Sequence, residues 1–118
     1  MTATMAGKWV LVVEDEYFIA KDLADDLKSV GADVLGPVAT VAEALVVIAA
    51  EPIDAAVLDI NLRGEMAYSV LDALIERGVP IVLATGYSAN TLPKRYAGVP
   101  QCDKPIEVDR LVSALFPD

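Results

Sequence analysis

Two short apolar runs in this chain each stop at a carboxylate. Val10-Leu11-Val12-Val13 runs into Glu14-Asp15, and Ala55-Ala56-Val57-Leu58 runs into Asp59. A buried strand that ends in acid is costly unless the acid has a task. Two such ends side by side make a small pocket of carboxylates. At about 5 Å separation each pair repels by roughly 3 kcal/mol at an effective dielectric near 20. A hard divalent cation relieves that repulsion, and Mg²⁺ is the usual choice where one or two carboxylates and several waters suffice. Further along, Lys104 supplies a point positive charge and Thr85 a hydroxyl, with Gly86 leaving room beside it. A metal, a lysine, a hydroxyl and one carboxylate facing open space compose a phosphoryl-transfer site. In such a site the carboxylate is the nucleophile and the product is an aspartyl phosphate.

Those residues must be positioned by strands. Trp9–Val13 reads as a strand, followed by a helix from Glu16 to Ser29 with Ile19, Ala20, Leu23, Leu27 and Val30 along one face. Gly31 ends it. Asp33–Gly36 is a short second strand. Thr40 and Glu43 form a capping box for a helix that buries Val41, Ala44, Leu45 and Ile48. Ala55–Leu58 is a third strand, Asn61–Glu65 a loop, and Ala67–Arg77 a helix with Val70, Leu71, Leu74 and Ile75 inward. Ile81–Ala84 and Val99–Asp103 supply two more strands, and Val108–Phe116 a last helix. Regular alternation of strand and helix implies a parallel sheet with helices on both faces. Ligands in such sheets bind beyond the carboxyl ends of the strands, and Glu14-Asp15, Asp59, Thr85 and Lys104 stand at four of those ends.

The chain has 118 residues, enough for one domain with its own core, and is 55% hydrophobic, which suits strands covered on both faces. Its longest apolar stretch near the middle, Ala44 to Ala50, is far too short to span a bilayer. Residues 1–7 read as an N-terminal tail without a leader signal, and 8–118 as the domain. A single cysteine, Cys102, precludes an internal disulfide and points to the cytoplasm. The net charge is -9, concentrated in the first half, so nucleic acid and anionic membrane are not expected partners.

Four segments together, Leu11-Val12-Val13-Glu14-Asp15-Glu16, Leu58-Asp59-Ile60-Asn61, Ala84-Thr85-Gly86 and Asp103-Lys104-Pro105, resemble the receiver domain of two-component response regulators. The resemblance runs from about Lys8 to Phe116. It implies a flavodoxin-like α/β fold, a doubly wound five-stranded parallel sheet in the order 2-1-3-4-5. It implies that Asp59 is the phosphoacceptor, taking a phosphoryl group from the phosphohistidine of a sensor histidine kinase. Asp15 and Asp59 would hold Mg²⁺ directly, Glu14 through water, and the Asn61 backbone carbonyl would add a ligand. Thr85, Gly86 and Lys104 would form the phosphoryl-binding and switch group, and the Lys104–Pro105 bond would be cis. Leu83-Ala84-Thr85-Gly86-Tyr87, with Leu92-Pro93 and Asn61-Leu62-Arg63-Gly64, resembles a Phe-Ala-Thr-Gly-Tyr-type subgroup of alphaproteobacterial single-domain receivers.

Two departures concern signal readout. Gln101 stands where most receivers carry an aromatic switch residue, leaving Tyr87 or Tyr96 to take part of that role on a switch or partner surface. Pro93 falls within the fourth helix, where a proline costs on the order of 3 kcal/mol. That helix is therefore expected to be short or irregular, and Tyr87–Gly98 to be the mobile segment. Other residues read more simply: Glu16 as a first-turn acid, Arg63, Lys94 and Arg95 as solvated charges, Trp9 as packing at the start of the sheet, and Cys102 as a buried small hydrophobe.

The expected function is phosphoacceptance in a phosphorelay, with output by protein–protein contact, by relay to a histidine phosphotransfer protein, or through a downstream regulator protein. The alternatives are the receiver portion of a hybrid histidine kinase and a phosphate-independent binding module. An Asp-based phosphatase would want a second acid two residues after its nucleophile, and Asn61 stands there, so the domain is not expected to be a turnover enzyme beyond self-phosphorylation and autodephosphorylation.

Overall fold

The computed structural model describes residues 5–85 and 92–116. The strands are β1 (Trp9–Val13), β2 (Asp33–Val38), β3 (Ala55–Leu58), a two-stranded hairpin β4 (Asn61–Leu62) and β5 (Glu65–Met66), then β6 (Ile81–Thr85) and β7 (Gln101–Asp103). The helices are α1 (Tyr17–Ser29), α2 (Val41–Ala50), α3 (Tyr68–Glu76) and α4 (Val108–Leu115). Five strands form one parallel sheet in the order β2-β1-β3-β6-β7. Counting only those five, this is the expected order 2-1-3-4-5 of a flavodoxin-like fold. The hairpin was read as loop, and its two-residue strands are too short to carry a periodicity.

Alternation along the central strands divides the interior in two. Leu11, Val13, Ala56, Leu58, Ile81 and Leu83 face α2 and α3. Val10, Val12, Ala55, Val57, Val82 and Ala84 face α1 and α4. Both faces being covered, β3 is buried at all four positions, and its apolar run is what such a strand requires.

The second layer differs from expectation at its margins. Leu45 and Ile75 stand at the edges of their helical stripes and are more than a third exposed, whereas Ala44, Ile48, Leu71 and Leu74 are buried. Trp9 is also exposed rather than packed, because it precedes the buried part of β1. Met5 is buried in the α1–α4 core, and its amide donates to the Val30 carbonyl at 2.9 Å. Met5 thus packs against the domain just ahead of β1.

Edge strand β2 runs two residues further than expected, through a cis Gly36–Pro37 bond, and its register with β1 shifts between Leu11 and Val13. A proline is tolerated there because the strand lies at the sheet edge. Gly36 has φ +92°, and a Cβ at that position would stand 2.6 Å from the Val38 amide nitrogen, so the bend requires glycine.

Between β6 and β7 the described chain forms only a 3-10 turn, Lys94–Tyr96, with Pro93 as its N-cap. Among the described residues this segment holds no α-helix, in keeping with Pro93. The expected mobile segment falls partly on residues 86–91, outside the described residues. The described remainder is anchored by Tyr96, whose ring is buried and stacks on Tyr68 with centroids 5.7 Å apart.

Thr40 caps α2 by accepting the Glu43 amide at 3.1 Å, and its hydroxyl donates to Glu43 Oε1 at 3.0 Å. Thr40→Ala should lower stability by about 1 kcal/mol, and Leu71→Ala by about 2–5 kcal/mol. Ile75→Ala, on the exposed side of the same helix as Leu71, should cost under about 1 kcal/mol. Urea-unfolding midpoints of the three variants check that ordering.

Candidate functional site

Parallel pairing brings the carboxyl ends of β1 and β3 together. Val13 pairs with Leu58, and the Asp59 amide donates to the Val13 carbonyl at 2.9 Å. The residues that follow, Glu14-Asp15 and Asp59, are forced into one cluster whose ligand oxygens lie within 4.8 Å of one another. On the far side, Thr85 pairs with Asp103 and the Lys104 amide donates to the Thr85 carbonyl at 2.9 Å. The Lys104–Pro105 bond is cis.

Lys104 joins the two halves. Its ammonium donates to Asp59 Oδ2 at 2.6 Å and stands 2.7 Å from Glu14 Oε1. The contact with Glu14 has ion-pair distance without hydrogen-bond alignment, so Glu14 Oε1 stays buried with no aligned donor. The other Glu14 oxygen accepts the Glu16 amide at 3.0 Å, which makes Glu14 the side chain that satisfies the chain just before α1. Glu16 itself is the N-cap of α1 and makes no side-chain cap. Burial pushes the Glu14 carboxyl above its ordinary range, and the nearby Asp59 adds to this against the opposing pull of Lys104 and the Glu16 amide. Burial alone would lower Lys104, but its bonds to Asp59 and Glu14 raise it on balance. The lysine is therefore charged throughout the neutral range.

Asp59 is gripped at both oxygens, since Oδ1 accepts the Asn61 amide at 3.0 Å. Asn61 Oδ1 accepts the Gly64 amide at 2.7 Å, shaping the loop around Asp59. Asp15 meets Arg63, whose Nε is 3.6 Å from Asp15 Oδ2 and whose terminal nitrogen is 3.4 Å from the Asp15 carbonyl oxygen. Arg63 is largely solvated, as expected, yet also meets Asp15, a contact that the 48-residue separation of the partners conceals in the sequence. Among the sequence features, only the Arg63-Gly64 pair at a turn pointed that way.

Thr85 is buried at the end of β6, and its hydroxyl donates to the Cys102 carbonyl at 3.3 Å. Thr85 is thus at the expected edge, with its hydroxyl engaged by the neighbouring strand rather than by the carboxylates. Gly86 and Tyr87 lie outside the described residues. Gln101 is exposed on β7. Tyr96 is buried, and its hydroxyl donates to Asp72 Oδ1 at 2.5 Å. Arg95 donates to the same hydroxyl at 2.5 Å and lies over the ring. Tyr96 is consequently a packing residue in this conformation, and Arg95 is held by Tyr96 and Asp72 rather than free in solvent.

The donor set suits a hard divalent cation. It offers carboxylate oxygens from three residues, one of them a buried oxygen whose near neighbour is the Lys104 ammonium. The half-buried Asp15 and Asp59 leave a face toward solvent for waters.

No family model matches the chain, and no curated protein matches it. Solved structures do. SdrG from Sphingomonas melonis Fr1 is 40% identical over 98% of this chain and 96% of its own, with a TM-score of 0.76. The BeF3-activated conformation of SdrG, with its source given as Pseudomonas melonis Fr1, is 40% identical over 95% of this chain and 96% of its own, with a TM-score of 0.77. A response regulator from Burkholderia pseudomallei, solved with a phosphorylated aspartic acid, a calcium ion and citrate, is 26% identical over 93% of this chain and 67% of its own, at a TM-score of 0.80. The receiver domain of the sensor histidine kinase PA1611 from Pseudomonas aeruginosa, with magnesium in its active-site cleft, shares the fold at 24% identity over 96% of this chain and all of its own, with a TM-score of 0.79. The chain belongs to the response-regulator receiver-domain family.

The raised Glu14 carboxyl sets a pH dependence. A carboxyl whose folded pKa exceeds its unfolded value stabilises the fold below the unfolded pKa and loses that contribution as pH rises through the folded one. Glu14→Gln should therefore be more stable than the metal-free parent at pH 7, with the gain shrinking as pH falls from the raised folded pKa toward the ordinary carboxylate value and vanishing below it. Urea unfolding in EDTA at several pH values checks this.

Proposed function

We propose that the domain accepts a phosphoryl group on Asp59 from the phosphohistidine of a sensor histidine kinase, with Mg²⁺ bound by the carboxylate cluster. The observation that carries this reading is Asp59 at the end of β3, held by Lys104 at 2.6 Å and ringed by carboxylates within 4.8 Å. In the transfer, an Asp59 oxygen forms a bond to phosphorus while the nitrogen–phosphorus bond of the donor breaks, and the electron pair leaves with the imidazole. Asp15 and Asp59 would bind the ion directly, Glu14 through water, and the Asn61 backbone carbonyl would complete the set. When bound, Mg²⁺ neutralises charge on the transferring oxygens. Lys104, already on Asp59 Oδ2, would pass to a phosphoryl oxygen.

Phosphorylation makes the group at position 59 more negative by roughly one unit. Thr85 would then leave the Cys102 carbonyl and donate to the phosphoryl group, together with the Gly86 amide. Its movement carries Tyr87 and the chain leading to the 3-10 turn, so two states of that segment and of exposed Gln101 would be weighted by the phosphoryl group. A partner that binds one state reads the signal. That partner is a histidine phosphotransfer protein or a downstream regulator protein. The SdrG likeness supports the Phe-Ala-Thr-Gly-Tyr-type grouping, with Leu83 replacing the first aromatic. The cytoplasm is the proposed compartment, on the single buried cysteine and the absence, among the described residues, of a helix long and apolar enough to cross a membrane.

Incubation with a phosphorylated kinase or a small phosphodonor should label the wild-type protein and not Asp59→Asn, and EDTA should abolish labelling. Full-rate labelling of Asp59→Asn would reject the assignment. Addition of beryllofluoride with Mg²⁺ should shift amide resonances most across residues 85–100. Shifts confined to the carboxylate cluster would reject the readout.

A further inference from the structure

Arg63 occupies an unfavourable position for its residue type. Leu62 and Glu65 pair across the β4–β5 hairpin, leaving Arg63 and Gly64 as a two-residue loop. Both have positive φ, 54° and 91°, as a type I′ turn demands. Asn-Gly satisfies that turn readily, whereas an arginine in the left-handed region is strained. Among the described residues Arg63 is the one non-glycine with positive φ. The strained turn directs its guanidinium to Asp15, where it contacts both the carboxylate and the backbone carbonyl.

The charges at the site then fall into two groups. Lys104 serves Glu14 and Asp59, and Arg63 serves Asp15. Resting on the proposed cation site, we infer that Arg63 is a resident counter-charge for Asp15 which a divalent cation must displace, so that this residue sets the affinity of the site for Mg²⁺. A guanidinium within 4 Å of Asp15 and a divalent ion on the same carboxylate repel one another, and the ion also forfeits the pairing that Arg63 supplied. The side chain of Arg63 is 79% exposed, so the penalty is screened and moderate. Release has an open path. A cavity of about 540 Å³, lined by Asp15, Tyr17, Pro37, Ala39 and Arg63, adjoins the pair. Lys104 differs: it is mostly buried and bonded to Asp59.

Calorimetric titration of the whole chain with MgCl₂ tests this. Arg63→Asn suits the turn and removes the charge, and it should bind Mg²⁺ roughly three- to tenfold more tightly, with the difference narrowing at high salt. Lys21→Gln removes an equal charge from the rim of the same cavity and should leave the affinity within about twofold of the parent. In the parent, the Arg63 Nε–H resonance should move toward its free-arginine position as Mg²⁺ is added. Equal affinity of Arg63→Asn and the parent, or an equal gain for Lys21→Gln, overturns the inference while leaving the cation site intact. Absence of Mg²⁺ binding by the parent instead overturns the cation site itself.

Discussion

The two ion pairs of Lys104 hold the functional edge together. Three carboxylates converge where β1 and β3 end, because parallel pairing leaves their following residues no other place. One ammonium between Glu14 and Asp59 offsets part of that repulsion. Strand pairing delivers it: the Lys104 amide is fixed to the Thr85 carbonyl at the end of β6. The offset is incomplete. Glu14 Oε1 keeps no aligned donor, and burial holds its carboxyl above the ordinary range. The fold carries the cost of this uncompensated charge elsewhere, in the buried β3 and the two cores on either side of it.

On the other side of the same edge, the Thr85 hydroxyl is bonded to the Cys102 carbonyl. Tyr96 is locked into the α2–α3 core by Tyr68, Asp72 and Arg95. In the described part of the segment between β6 and β7, one buried aromatic side chain on a 3-10 turn supplies the anchor. The arrangement joins Pro93, which prevents a longer helix, to a side chain large enough to fill the space.

Much of the fold was legible because its signals are local. Apolar runs of four or five residues marked β1, β3 and β6. Thr40 and Glu43 marked the start of α2, and Pro93 forecast the shortened helix. Glu14, Asp15, Asp59, Thr85 and Lys104 were also legible, since a strand followed by a polar residue identifies its carboxyl end. The errors lie where a residue's surroundings are set by distant segments. Leu45 and Ile75 fit their helical stripes yet stand beyond the neighbouring elements, and the surroundings of Met5 and Tyr96 are set by Val30, Tyr68 and Asp72, all distant in sequence.

By itself, then, the order of residues determined the alternation of elements, the strand ends that bear chemistry and the types of group available there, because periodicity and punctuation act over a few residues. Only the tertiary structure decided which charges meet: Lys104 with both Glu14 and Asp59, and Arg63 with Asp15. These partners are separated by tens of residues along the chain, and their distances follow from strand pairing and one strained turn. Coulomb energy depends on those distances and on burial, and neither is written in the local sequence.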